Sequence, residues 1–257
     1  MTVAAHPQWI VPEWPAPDNV RALITTRAGG ASGGRFGAGA AGGGMNLGTR
    51  SGDAIEDVLA NRARLRAILP GEPRWLQQVH GAAVAAIDEP ADDAPADAAI
   101  ALQPRNVCVV SIADCLPVMF ADRDGRAVGV AHAGWRGLAG GILQNTAAAM
   151  RARLGNRDAA LLAYLGPAIG PKHFEVGVDV LDAMRARLPQ AHAAFTPAAG
   201  GKYLCDLFAL ARQALAQAGV APVFGGGQCT YGDETRFYSY RRDRVTGRHA
   251  ALIWLEA

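Results

Sequence analysis

Cysteine is scarce in this sequence: the 257 residues include four (Cys108, Cys115, Cys205 and Cys229), with no CxxC pair among them. A disulfide framework is therefore not expected, and the thiols read as cytosolic. Excess charge is also lacking. The 25 basic residues against 23 acidic ones leave a formal net charge of +2, too small and too evenly spread to point to nucleic acid or a membrane surface. No uninterrupted apolar run reaches the roughly 18 residues of a membrane span. The opening MTVAAHPQWIVPEWPAP has no basic stretch followed by an apolar one, as a secretory signal would. A soluble cytoplasmic protein is the expectation. Apolar residues make up 50% of the chain, enough to close a real core and to exclude wholesale disorder. With no Pro/Ser-rich linker, residues 1–257 read as one domain.

Glycine is abundant in one place. Nine of the sixteen positions from Gly29 to Gly44 are glycine, which predicts a mobile loop without regular structure. The GxGxxG match at 37–42 lacks a preceding strand and a following helix, and the GxSxG match at 30–34 lacks a nucleophile elbow, so glycine abundance alone accounts for both.

Apolar spacing predicts strands at 20–26, 75–79, 83–87, 107–112, 117–121, 127–131, 161–165, 237–240 and 250–255. It predicts helices at 53–69, 138–154, 180–188 and 204–218. The strands come in hairpin clusters between helices, which favours α+β over a doubly wound sheet.

The most informative segment is SIADCLPVMFADRDGRAVGVAHAGWRG at 111–137. Asp124-Gly125 is a two-residue hairpin signal between two apolar runs. With that loop Arg123 faces Arg126, and the same register puts His132 opposite Pro117 and diagonal to Cys115 on one face. A thiol beside an imidazole supports either of two chemistries. The pair could ligate zinc, or His132 could activate Cys115 as a nucleophile. A third ligand favours metal, and His80, at the end of the run Trp75-Leu-Gln-Gln-Val-His80, is the best candidate. Two His and one Cys leave a tetrahedral ion one open position, as catalytic zinc requires.

The strings Gln78-Val-His80-Gly81, Ala113-Asp-Cys115-Leu-Pro117-Val118, His132-Ala-Gly-Trp135-Arg136-Gly137, Leu165-Gly-Pro-Ala-Ile-Gly170, Phe174-Glu-Val-Gly177, Cys229-Thr-Tyr231 and Phe237-Tyr-Ser-Tyr-Arg-Arg-Asp243 resemble the YfiH-type proteins. These were once called multicopper polyphenol oxidases or laccases, and later purine nucleoside phosphorylases. The resemblance runs over about nine-tenths of the chain. It implies a single α+β domain with a central β-sandwich of mixed sheets flanked by helices, and a catalytic zinc held by His80, Cys115 and His132. The implied activities are phosphorolysis of adenosine, inosine, guanosine and methylthioadenosine, with deamination of adenosine; some relatives edit peptidoglycan precursors. The stretch from Arg27 to Asn46 is longer and richer in glycine than the family pattern. A multicopper oxidase needs roughly ten histidines, and only six are present. Copper in the His₂Cys site stays open as a source of weak phenol oxidation, because Cu²⁺ outbinds Zn²⁺ at most nitrogen and sulfur sites.

Deamination needs a carboxylate to shuttle protons. Glu175 is the candidate over Asp114, which would face away from Cys115 on a regular strand, although Glu175 is equally a surface acid. Phosphorolysis needs cationic groups for the phosphate dianion; Arg27, before the glycine segment, and Arg241, after an aromatic run, are the candidates. Asn46 could bond a ribose or base, or fix a turn. Trp135 and Tyr231 could stack on a purine or pack the core. Two further readings stand beside the purine enzyme: a metal-free Cys–His hydrolase acting on a cell-wall precursor, and a binding module in which the Arg/Tyr segment 236–248 grips RNA.

Overall fold

Both faces of the long apolar runs are buried, because the strands they form lie in two sheets stacked face to face with helices outside. The computed structural model describes residues 5–89 and 94–257. In chain order the elements are β1 (Val20–Ile24), β2 (Ala28–Ser32), α1 (Ile55–Arg66), β3 (Pro73–Arg74), β4 (Val84–Ala86), β5 (Ala98–Ala101), β6 (Val107–Ile112), β7 (Leu116–Asp122) and β8 (Val128–Ala133). They continue with α2 (Trp135–Gly140), α3 (Ile142–Arg153), β9 (Leu161–Leu165), β10 (Glu175–Val176), α4 (Val178–Arg187), β11 (Phe195–Pro197), β12 (Tyr203–Cys205), α5 (Leu207–Gln217), β13 (Val223–Gly225), α6 (Tyr240–Asp243) and β14 (His249–Leu255).

A six-stranded mixed sheet runs β13-β9-β7-β8-β5-β4, a four-stranded mixed sheet runs β1-β14-β6-β3, and β10-β12-β11 form a small third sheet. Side chains alternate with period two. Met119 and Ala121 of β7, Val128 and Val130 of β8, and Leu162 and Tyr164 of β9 therefore meet Cys108, Val110, Ala251 and Ile253 of the facing sheet. Their neighbours Val118, Phe120, Ala131 and Ala163 turn the other way, onto α3 and α5. Leu23, Val109, Leu252 and Trp254 face outward from the smaller sheet onto Leu65 of α1, Met45 and Leu47. The fold is thus the expected α+β sandwich of mixed sheets flanked by helices.

The hairpin forms in the expected register: Leu116 pairs with Ala133, Pro117 with His132 and Phe120 with Gly129. Gly125 sits at φ +69° and closes the turn through its amide to the Asp122 carbonyl.

Several elements differ from the sequence reading. The helix expected at 138–154 is two helices, broken at Gly141 (φ +87°). Arg187 donates to the Ala139 and Gly140 carbonyls at that break, satisfying groups a helix end leaves free. The run 75–79 is not a strand. The Gln78 side chain there takes the place of a ladder, accepting from the Ser111 amide and donating to its carbonyl. The run 237–240 is not a strand either, because Ser239 caps α6 and the Tyr238 amide donates to His249 Nε2. Strand β5 escaped notice, since its alanines carry little strand propensity.

The glycine segment contains β2 and two short 3₁₀ turns, where no regular structure was expected. Its base is tied to α1 by the buried side chain of Asn61, which accepts from the Ala31 amide and donates to Ser32 Oγ and the Gly44 and Asn46 carbonyls. At Gly44 a Cβ would lie 1.6 Å from the Phe36 carbonyl oxygen, whereas at Gly33 it would meet nothing within 4 Å. Gly44→Ala should therefore destabilise the fold by roughly 3 kcal/mol or more, and Gly33→Ala by less than about 0.5 kcal/mol. Denaturant unfolding of the two variants checks the difference; equal costs would contradict the packing described for Gly44.

Candidate metal centre and its cavity

The chain leaves the small sheet at the end of β6 and enters the large one at the start of β7, so residues 113–115 form a corner between sheets. Asp114 makes the turn at φ +84°, so the regular strand that would have aimed it away from the site does not exist there. Its carboxylate accepts from Thr230 Oγ1 (2.6 Å), Ser239 Oγ (3.0 Å) and the Arg241 amide (2.6 Å). The Asp114 carbonyl accepts from the Ile169 amide. Cys115 follows this pinned corner and stands diagonal to His132, as the hairpin register requires.

His80 completes the group from a loop. Its nitrogen, the Cys115 sulfur and the His132 nitrogen lie within 4.8 Å of one another, and the two imidazole rings are 4.8 Å apart. What brings His80 there is Asp97, a carboxylate with no exposed surface. Asp97 accepts from the amides of Val79 (3.1 Å), His80 (2.9 Å) and Gly81 (2.7 Å), and bonds His132 Nδ1 at 2.8 Å. The loop is held open at a positive φ of +61° on His80. With Nδ1 facing the carboxylate, His132 keeps Nε2 for a metal, the usual carboxylate–histidine arrangement around ligands. Burial works against charge on Asp97, but the bonds from His132, Gly81 and Val79 prevail and hold its pKa below the usual carboxylate value.

The electrostatics suit a thiolate. Burial would raise the Cys115 pKa, yet the neighbouring His132 and His80 bring it down to about 6. Burial likewise opposes charge on His132, which Cys115 and Asp97 nevertheless raise to about 9. At Gly134 a Cβ would lie 2.7 Å from the Cys115 sulfur, so the residue after Ala133 has to be glycine for the sulfur to sit where it does.

The three ligands line a cavity of about 730 Å³, walled by Trp75, Trp135, Phe174 and Tyr240. Arg50, Arg62, Arg136, Arg241 and Arg248 also line it, and among the described residues Asp114 is the one acid that does. Arg241 lines it with its guanidinium over Phe174 and bonded to the Glu175 carbonyl. Trp135 is a wall residue; Tyr231 instead stacks on His173 at 4.7 Å.

The other sequence candidates lie elsewhere. Glu175 is outside the cavity, with its carboxylate 2.7 Å from Lys202 Nζ at the surface. Arg27 is not in the cavity wall either; its guanidinium holds the Gly37, Arg35 and Glu234 carbonyls and stacks on Tyr238. Asn46 fixes a turn, donating to Ser51 Oγ and Asp53 and accepting from the Gly48 and Arg248 amides. It thereby shapes the Gly48–Ser51 rim of the cavity rather than touching its interior. In the Arg/Tyr segment, Arg242 is consumed by the Thr230, Tyr231 and Phe237 carbonyls, and Arg241 and Arg248 turn into the cavity, which argues against a free RNA-binding face.

Sequence reasoning missed Asp97, Arg62 and Arg248. Asp97 had a signal, a single acid in the apolar run Ala96 to Ala101; the arginines had none, since only tertiary contact brings them together. Asp97→Asn would turn an amide group toward N–H donors. It should weaken metal binding by about 10–100-fold, measured by titration against a chelator, with unchanged affinity ruling out the orienting role.

The profile of the multi-copper polyphenol oxidoreductase laccase family matches residues 21–256. A purine nucleoside phosphorylase of Pseudomonas aeruginosa is 47% identical over 96% of this chain and 98% of its own length. The purine nucleoside phosphorylase YfiH of Escherichia coli matches at the same identity and coverage. Among solved structures, a Neisseria meningitidis protein superposes with a TM-score of 0.88 at 46% identity, covering 97% of this chain and all of that one. YlmD from Geobacillus stearothermophilus superposes at 0.87 with 31% identity, over 100% and 99% of the two chains. Despite the family's title, the described residues hold one His₂Cys group, and the other four histidines, His6, His173, His192 and His249, form no second group of metal-ligating side chains. A shared fold and matches along almost the whole chain place this protein in the YfiH family, the group that carries the polyphenol oxidoreductase laccase title.

Proposed function

We propose that this chain is a zinc-dependent purine nucleoside phosphorylase, taking adenosine, inosine, guanosine or methylthioadenosine with inorganic phosphate to the free base and ribose 1-phosphate. The observation that carries the reading is a three-ligand group on the wall of a cavity lined by five arginines and one acid. The names of the relatives agree with it. The donor set fits zinc: one thiolate and two imidazoles, with Asp97 behind His132. Zinc held by His80, Cys115 and His132 would supply Lewis acidity at the cavity wall. Copper in the same site would account for phenol oxidation as a side activity.

The protein's own groups do the rest. Arg241 and Arg248 hold the phosphate dianion, whose oxygen attacks C1′ of the ribose as the bond to the purine nitrogen breaks. Trp135, Phe174 and Tyr240 offer apolar faces for the base. Asp114, saturated by three donors, holds the backbone of Arg241 in place. Deamination of adenosine by the same site would need a proton-carrying carboxylate, and Asp114 lines the cavity whereas Glu175 does not. The basic lining therefore favours phosphorolysis as the principal reaction.

Freshly purified protein should contain about one zinc per chain and release adenine from adenosine only when phosphate is present. His80→Ala and Cys115→Ala should each lower that rate by at least about a hundredfold; unchanged turnover in either variant would sink the proposal. Arg248→Gln should raise the KM for phosphate about tenfold and leave the KM for adenosine within about twofold. A change confined to adenosine would assign Arg248 to the nucleoside instead.

A second reading draws on the Cys115 pKa of about 6 beside His132 at about 9, a thiolate–imidazolium pair suited to a Cys–His hydrolase that edits peptidoglycan precursors. Chelation separates the two. Turnover abolished by chelation and restored by zinc supports the phosphorylase, whereas hydrolysis that survives chelation and is stopped by iodoacetamide supports the hydrolase.

A further inference from the structure

A second thiol and imidazole meet outside the cavity, and neither serves the proposed reaction. Cys229 Sγ lies 3.4 Å from His173 Nδ1. The same sulfur accepts the backbone N–H of Gly170 at 3.2 Å and of Gly232 at 3.3 Å. A thiol is a weak acceptor, and here three nitrogens converge on one sulfur. The glycines make it possible, because a Cβ on Gly170 would lie 3.1 Å from the sulfur. His173 is itself oriented, its ring stacked on Tyr231 at 4.7 Å and 21°. A nucleophile within reach of a base that a third group orients is the general signature of an activated side chain. Cys229, His173 and Tyr231 are all partly exposed, so a small reagent reaches them, whereas Cys108 and Cys205 are buried.

We propose that Cys229 and His173 form a second reactive pair in this protein, a modification site that takes hydroperoxides. His173 takes the thiol proton as the Cys229 sulfur attacks one oxygen of hydrogen peroxide. The S–O bond forms and the O–O bond breaks. The departing hydroxide takes the proton from His173, leaving Cys229 as sulfenic acid, His173 neutral and one water. Sulfur loses two electrons and the peroxide gains them.

The site communicates with the cavity through covalent neighbours. Thr230, next to Cys229, donates to Asp114, and Ile169, next to Gly170, donates to the Asp114 carbonyl. An oxygen added to Cys229 would crowd the two loop segments, 168–170 and 229–230, that hold the corner before Cys115.

The test uses the full, metal-loaded chain exposed to hydrogen peroxide and dimedone at neutral pH, with each cysteine followed by peptide mass spectrometry. Cys229 should acquire the dimedone mass at least about tenfold faster than Cys108 or Cys205. Labelling of Cys229 no faster than those buried thiols overturns the proposal without any variant. His173→Gln, checked for an unchanged melting temperature, should slow Cys229 labelling by about tenfold or more. A folded His173→Gln protein that labels at the original rate overturns it as well. None of these readouts depends on phosphorolysis.

Discussion

The Asp97 carboxylate is the constraint on which the grouping of His80, Cys115 and His132 depends. It has no exposed surface, accepts three consecutive backbone amides of the His80 loop, and bonds the ring of His132. A buried carboxylate without partners would be costly, and here each partner is a piece of the site. The group that satisfies Asp97 is therefore the same group that fixes two of the three ligands. The third, Cys115, is placed from the other side by a corner that Asp114 holds. The β7–β8 register brings Cys115 beside His132, and the two buried acids hold the His80 loop and the corner before Cys115 against that pair.

This arrangement explains why the surroundings tolerate little change. Gly134 leaves room for the Cys115 sulfur, and Ser239, Thr230 and the Arg241 amide all converge on Asp114. The same contacts that hold the corner bring Arg241 to the cavity wall. The Asp114 side chain thus couples the position of Cys115 to that of Arg241, through the Arg241 backbone amide. The cavity wall combines five arginines and one acid with the aromatic rings of Trp75, Trp135, Phe174 and Tyr240.

Legibility in the sequence followed the range of the interaction. The hairpin was readable because Asp124-Gly125 sets a two-residue loop and the period of two then dictates every partner, which led from Cys115 to His132 without any fold in hand. The 138–154 helix was misread at Gly141, where the break depends on Arg187 from another helix. The 75–79 and 237–240 runs were misread because side chains, Gln78 in one and Ser239 in the other, supply bonds that a ladder would have made. Glu175 was chosen because a regular strand would have turned Asp114 away, and Arg27 for its charge before the glycine segment; the surface partner Lys202 and the glycine-segment carbonyls claim them.

By itself the sequence determined the local, periodic features: which runs bury both faces, the register of the β7–β8 hairpin, and the thiol–imidazole pair at its open end. Tertiary structure alone decided the rest. Asp97 reaches His132 across 35 positions and Asp114 reaches Arg241 across 127. Arg62 and Arg248 share a cavity only because α1 and the turn before β14 pack beside the same corner. The physical reason is range: turn chemistry and side-chain alternation act within a few residues, whereas a buried acid is satisfied by whichever donors the packed sheets bring to it.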